Sequence, residues 1–390
     1  MSTPQSPTED RPASLMECLK QIEDPRISRT RDHRLIDILV IGVCTLLCGG
    51  EGFNDMEDFG EAKKDWLTTF LELPNGIPSH DTFNRVFAAL DPAQFTDCFL
   101  RWTQGLRAAT DREIVAMDGK ALRRALNKGQ PLPYIVSAWA VKSGLVLGQL
   151  KVAEKSNEIT AVPELLRALE LAGCIVTLDA MGCQKKIARE IIESDADYVL
   201  ALKGNQELVH EEVKSYLDDA ISQLALAPTS LPPTPSSLAF HQTVEKDHGR
   251  IEIRRYWQSQ ALDWFADRSK WEGLRSVGVV ESVRDINGQV TTERRYYLSS
   301  LPLDVGCFAN AVRSHWGVEN SVHWHMDVSF GEDQSRARTG FAAENLATLR
   351  RLALNMLKRE KTKKRGIRGK QKNAGWDHAY LLRLLGVSLD

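Results

Sequence analysis

A chain of 390 residues, 43% apolar, 26% charged and with a formal net charge of −2, has the composition of a globular protein. That balance excludes collagen-like, coiled-coil and wholly disordered classes, and the length predicts two or three domains rather than one core. It also excludes a uniformly basic surface, so any nucleic-acid contact has to come from local clusters such as RISRTRDHR (Arg26–Arg34) and KREKTKKRGIRGKQK (Lys358–Lys372).

Residues 1–14, MSTPQSPTEDRPAS, are polar and Pro-rich, predict disorder and carry no apolar stretch of the secretory type. The longest apolar run, Ile36–Cys48, contains Asp37 and is too short to span a bilayer. With seven cysteines and no CxxC pair, reduced thiols and a cytoplasmic location are expected. Residues 15–110 read as a helical N-terminal domain: Leu35, Leu39, Val43, Leu46 and Leu47 repeat at helical spacing. In SHDTFNRVFAAL, Ser79 and Asp81 are both candidate N-caps.

From about residue 112 the period changes. EIVAMDG reads as a buried strand, and YIVSAWAVKSGLVLGQLKV as a hairpin turning at Lys142-Ser143-Gly144. Ile159–Leu171 predicts an amphipathic helix ended by Gly173. CIVTLDA predicts a strand, Gln184–Glu193 a helix, DYVLALKG a strand and Gln206–Leu217 a helix. Three antiparallel strands followed by αβ units is the order of an RNase H-like α/β core, expected over 111–221. Ala227–Ser237 is a linker by composition, inside a β-rich insertion expected over 222–300, where Asn287-Gly288 marks a hairpin. Arg250, Arg254, Arg255, Arg294 and Arg295 stud these strands, as a wet face or as a track for phosphates. Residues 301–390 predict helices, with Phe341–Lys358 amphipathic.

Three acids stand out within this frame. Asp118 follows a short apolar run in EIVAMDGKALRRA, Asp179 follows another in CIVTLDAMGCQKK, and Glu319 lies in the helical VRSHWGVENSVHW. Carboxylates at the ends of buried strands are poorly placed for solubility and well placed for divalent cations, and three of them serve two-metal phosphodiester chemistry.

The ordered spans MDGK, KSNEI, TLDAMGCQ, YVLALKGNQ and HWGVENSVHWHMDVSFGEDQSR resemble the DDE transposases of bacterial insertion sequences, in the branch of the H-repeat-associated proteins. The resemblance runs from SHDTFNRVF to the C-terminal helix. It implies an RNase H-like catalytic domain, with Asp118 on the first strand, Asp179 at the end of the fourth and Glu319 on a late helix beyond the insertion. It further implies Mg²⁺, with Mn²⁺ as substitute, held by those acids, and metal-dependent cleavage at element ends followed by strand transfer. The implied partner is double-stranded DNA, both element ends and target, bound by a homodimer.

The chain departs from the Tyr–Arg–Glu–Lys pattern of many relatives, carrying Val312, His315 and Met326 at the Tyr, Arg and Lys positions. Basic roles then fall to Arg313 or His315. Lys120, Arg123, Arg124, Lys203, Arg250 and Arg254 are further candidates for DNA contact. Trp316 and Trp324 read as packed, with base stacking as the alternative. Asp327, Glu332 and Asp333 are substitutes for the third acid, and Glu154 and Glu158 are further acids near the core. Three rival readings remain: a nuclease without strand transfer, a transposase-derived DNA-binding protein without catalysis, and a zinc hydrolase built on His315, His323 and His325.

Overall fold

The structure is a computed structural model that describes residues 14–106, 112–125, 132–152, 158–226, 238–247, 250–286 and 288–387. The expected disordered segment up to residue 13, the linker Ala227–Ser237, Glu154 and Asn287 lie outside the described residues, as do the side chains of Glu158 and Arg250.

Helices α1 (Leu15–Lys20), α2 (Leu35–Leu47), α3 (Phe53–Ala62), α4 (Lys64–Leu67), α5 (His80–Ala89) and α6 (Pro92–Leu106) form the N-terminal layer. Of the two candidate caps on α5, Ser79 takes the role, its side chain accepting from the Thr82 amide. In α2 every residue except Ile36 is buried. Asp37 is buried with the rest and accepts from the Leu73 amide at 3.2 Å, so it costs less than an orphan carboxylate would.

Strands β1 (Ile114–Ala121), β2 (Tyr134–Ala140) and β3 (Leu145–Val152) form an antiparallel meander. Helix α7 (Glu158–Ala168), β4 (Ile175–Leu178), α8 (Lys185–Glu193), β5 (Asp197–Leu202) and α9 (Glu207–Leu226) follow. The insertion supplies β6 (Leu238–Asp247), β7 (Arg250–Ser259), β8 (Ser276–Ile286) and β9 (Gln289–Ser299). Then come α10 (Val305–His315), α11 (Trp324–Val328), α12 (Ala342–Arg359), α13 (Ile367–Trp376) and α14 (His378–Leu385).

The described strands build one nine-stranded sheet in the order β3-β2-β1-β4-β5-β9-β8-β7-β6. Its first five strands, with β1, β4 and β5 parallel, are the RNase H-like core expected from the chain order. The insertion extends that sheet rather than packing as a separate one, because β9 pairs antiparallel with β5 from Val199↔Ser299 to Leu202↔Tyr296. Two helix ends shift: α7 ends at Ala168 rather than Leu171, with Gly173 (φ +72) turning the chain toward β4 and its amide bonded to the Asp195 carbonyl, and α9 runs past Leu217 to Leu226.

Period-2 alternation splits the sheet into two faces. Val115 and Met117 of β1 and Val176 and Leu178 of β4 face a core shared with α7, α8 and α9. Ile114, Ile175 and Val199 face α10, and Ala116 faces a cluster joining the N-terminal helices to α12, α13 and α14. Asp118 belongs to this second face.

Helix α12 corrects an expectation. It reads as amphipathic, yet from Asn345 to Leu357 every residue is buried, and its polar positions are used internally. Asn345 Nδ2 donates to the Phe87 and Leu90 carbonyls, satisfying the end of α5. Asn355 bonds both the amide and the carbonyl of Val146 on β3, each at 2.8 Å. Arg351 bonds Ser137 and Glu332. These pairs fix the axial position of α12 between the helical layer and the sheet, which apolar contacts alone do weakly. Among the described residues, no helix is long and apolar enough to cross a membrane.

Candidate metal centre and cleft

The parallel register of β1 and β4 runs from Ile114↔Ile175 to Met117↔Leu178. Asp118 and Asp179 come next on each strand, at the point where that pairing ends. Asp118 remains inside β1, held opposite Ser137 of β2, because β1 continues to Ala121. Asp179 starts a 3-10 turn: its Oδ1 accepts from the Met181 amide at 2.9 Å and the Gly182 amide at 3.4 Å.

Glu319 arrives from the other side. After α10 the chain passes Trp316, Gly317 and Val318 into a π-helical turn, Glu319–His323, in which the Trp324 amide bonds to the Glu319 carbonyl. Such turns recur at functional sites. Gly317 is required for the approach, since a Cβ there would lie 2.7 Å from the buried Trp139 ring of β2. Gly317→Ala is expected to cost about 1–3 kcal/mol by overpacking. By displacing the turn that carries Glu319 it should also lower any activity of this site by about 10²-fold. Melting temperature and turnover together test this; a variant normal in both would show that the close approach has no role.

Asp118, Asp179 and Glu319 line one cleft of about 250 Å³, together with Thr177, Lys203, Arg295, Val312, His315 and Trp316. His323 lies beneath it, its Nδ1 3.1 Å from Glu319 Oε2 and 3.6 Å from Asp118 Oδ2. Ligand atoms of Asp118, Glu319 and His323 fall within 4.8 Å of one another. This oxygen-rich donor set fits a divalent cation. Burial is the main cause that lowers the His323 pKa, with Glu319 pulling it up and Arg351 and Lys120 pushing it further down. Burial likewise lowers that of His315, against the opposing pull of Asp179. His315 Nδ1 pairs with Thr177 Oγ1 at 3.0 Å, and His325 Nδ1 with Ser329 Oγ at 3.1 Å. Among the described residues His315, His323 and His325 form no common ligand group, so the zinc site read on them is not built.

The basic candidates sort differently from expectation. Lys120, expected at a phosphate, points into the protein and is 8% exposed. Its ammonium lies 2.6 Å from Asp327, 2.9 Å from Asp333 and 3.6 Å from Glu332. Burial works to lower its pKa, but Glu332, Asp327 and Asp333 outweigh that and raise it. These three acids serve Lys120 and Arg351; Glu319 is the one in the cleft with Asp118 and Asp179. Arg123 is exposed, 3.5 Å from Asp333, and Arg124 is exposed beside it. Lys203 is exposed at the cleft.

In the insertion, Arg254 pairs with Glu245 and Glu252, Arg255 with Glu281, Arg294 with Glu281 and Asp218, and Arg295 with Glu293. Arg313 of α10 joins Glu245 at 3.0 Å. Among the described residues, these arginines of the insertion are thus each paired with a carboxylate.

Two tryptophans correct the packing expectation: Trp316 is 47% and Trp324 49% exposed. The Arg295 guanidinium lies 4.8 Å from the centre of the Trp316 ring, a cation–π contact at the cleft edge. Thr177 in the cleft and Arg351 behind it are residues that sequence reasoning passed over, while Arg295, read only as one of the insertion's arginines, proves to line the cleft. A fully buried arginine carries no local signal, and Thr177 is visible only as the residue two before Asp179 on the same face.

Two family matches cover most of the chain: the "DDE_Tnp_1-associated" family over residues 16–103, and the "Transposase DDE domain" over residues 109–356. Among curated proteins, "H repeat-associated putative transposase YhhI" of Escherichia coli K12 is 39% identical over 381 residues, 96% of this chain and 98% of that one. "Putative transposase YncI" of Escherichia coli O157:H7 is 38% identical over 387 residues, 95% and 94% of the two chains. The "Uncharacterized protein in dhlA 3'region" of Xanthobacter autotrophicus is 42% identical over 287 residues, 73% of this chain and 93% of that one. With its RNase H-like sheet, its three acids in one cleft and these relatives along its length, the chain belongs to the DDE transposase family.

Proposed function

We propose that this protein cuts DNA at the ends of an insertion sequence and joins the freed 3′ ends to target DNA, using Asp118, Asp179 and Glu319. The observation that carries the reading is the meeting of these acids, from β1, the end of β4 and the π turn, in one cleft. Mg²⁺, with Mn²⁺ as substitute, would be held by them and, when bound, would activate the attacking water or 3′-hydroxyl and stabilise the leaving oxygen.

The chain's own groups divide the remaining work. Asp179, pinned by two amides, keeps one wall of the cleft fixed. Met326 occupies the position of the relatives' Lys and is fully buried, so that cation has to come from elsewhere. Lys203 and Arg295 line the cleft and supply it for a scissile strand. Trp316, open at the edge, offers a ring for a base displaced from the duplex. His315, held by Thr177, presents a neutral imidazole beside Asp179. Paired ends and target call for two active sites, and a homodimer on double-stranded DNA would provide them.

The test is incubation of the full chain with labelled DNA carrying the sequences that flank its gene, in Mg²⁺ or Mn²⁺. Nicks at fixed positions in those flanks and joined products are expected, both lost in EDTA. Nicks without joined products would leave a nuclease. Specific binding with no cleavage in either metal would replace the reading with a DNA-binding protein descended from a transposase.

A further inference from the structure

We infer that His323 is a third ligand to the cation held by Asp118 and Glu319, giving this centre a nitrogen donor and shifting its preference from Mg²⁺ toward transition-metal divalent ions. The inference rests on the metal-dependent reading above and specifies its donor set.

Three observations carry it. The first is convergence: His323 Nδ1 approaches both carboxylates, at 3.1 Å and 3.6 Å, and the three ligand atoms span no more than 4.8 Å. A cation between them would need only small rotations. The second is enclosure. The His323 side chain is 5% exposed, while those of Asp118 and Glu319 are 28% and 61% exposed. The imidazole thus forms the floor of the centre, and open positions remain on the solvent side for water or a phosphate oxygen. The third is commitment elsewhere. The other two histidines of this segment are taken up, His315 by Thr177 and His325 by Ser329.

The chemistry sets the consequence. Mg²⁺ is hard, takes oxygen at strict octahedral geometry and gains little from imidazole; the later first-row ions accept nitrogen and tolerate irregular sites. One cost opposes ligation. In the free chain Nδ1 carries the proton when it donates to Glu319, and binding a cation moves that proton to Nε2. That atom is buried and has no hydrogen-bond partner among the described residues. The gain from nitrogen is therefore expected to be moderate, at about ten- to a hundredfold in affinity.

The experiment is pulsed electron paramagnetic resonance on the full chain loaded with one equivalent of Mn²⁺, without DNA. Modulation from a directly bound ¹⁴N nucleus is expected, replaced by the ¹⁵N pattern when the protein is made with ¹⁵N-histidine. His323→Gln should abolish it and weaken Mn²⁺ binding about ten- to a hundredfold, with Mg²⁺ binding changed less than about threefold. The labelled wild-type protein gives the answer even if the variant folds poorly. Mn²⁺ bound in an Asp118-dependent way but without nitrogen modulation would overturn the role of His323 and leave the three-acid reading standing. Absence of any Asp118-dependent Mn²⁺ would overturn both.

Discussion

Asp118→Asn is expected to lower DNA cleavage by about three orders of magnitude while leaving the fold intact. The substitution changes charge and almost nothing in shape, and β1 around it is held by seven register pairs with β2 and four with β4. What is lost is the carboxylate that faces both Glu319 and His323. Metal-based charge stabilisation amounts to several kcal/mol, and each ~1.4 kcal/mol is a factor of ten in rate, which sets the size. The stability readout should not follow the activity. The substitution keeps the side-chain shape and the strand pairing, so in EDTA the melting temperature of Asp118→Asn should stay close to that of the parent. Cleavage within tenfold of the parent would remove Asp118 from the centre. A melting temperature lower by about 5 °C or more would mean that the loss is a folding loss.

Much of this centre is visible in the residue order, for a physical reason. Strand ends are local features: IVAMD and IVTLD each show four apolar or β-favouring residues and then an acid, and that pattern needs no partner to be recognised. The hairpin at Lys142-Ser143-Gly144 is legible in the same way, since Gly144 takes φ +69. What is not legible is long-range. Lys120 follows Asp118 by two residues and therefore shares its face, but its carboxylate partners lie more than 200 positions later, at Asp327, Glu332 and Asp333. Without them, a lysine beside an aspartate proposed to hold a metal reads as a phosphate ligand. Helix α12 misleads in the opposite direction: Asn345, Arg350, Arg351 and Asn355 read as a wet face because their partners are in other elements. Trp316 and Trp324 read as core because tryptophan is usually well buried, yet both rings stand exposed on either side of Glu319.

Arg351→Met is expected to destabilise the fold by about 3–5 kcal/mol, because it takes the hydrogen-bonded cation away from a fully buried carboxylate rather than merely deleting a contact. Arg351 and Glu332 are both fully buried at 2.8 Å, and Arg351 Nε also donates to Ser137 Oγ, directly across β2 from Asp118. Burial works to raise the Glu332 pKa, but Arg351, Arg350 and Lys120 outweigh it and hold the group at about 2. The sign of the pH effect follows. A carboxylate whose pKa is lower folded than unfolded contributes stability that is fully present above its ordinary value near 4.5 and is lost as pH falls through about 2. The parent should therefore lose stability across that window, and Arg351→Met should show a shallower loss, because its Glu332 has less to lose. Melting temperatures at a fixed scan rate and several pH values test both points. The paired change Arg351→Met with Glu332→Gln should recover a large part of the loss, since it removes the stranded charge. Failure to recover would place the effect in the Ser137 bond and in packing around α12 instead. Either way, activity reports on the same network: Ser137 backs the strand position of Asp118, so a variant that folds but binds Mn²⁺ weakly would show that this buried pair holds the metal centre in shape as well as the core.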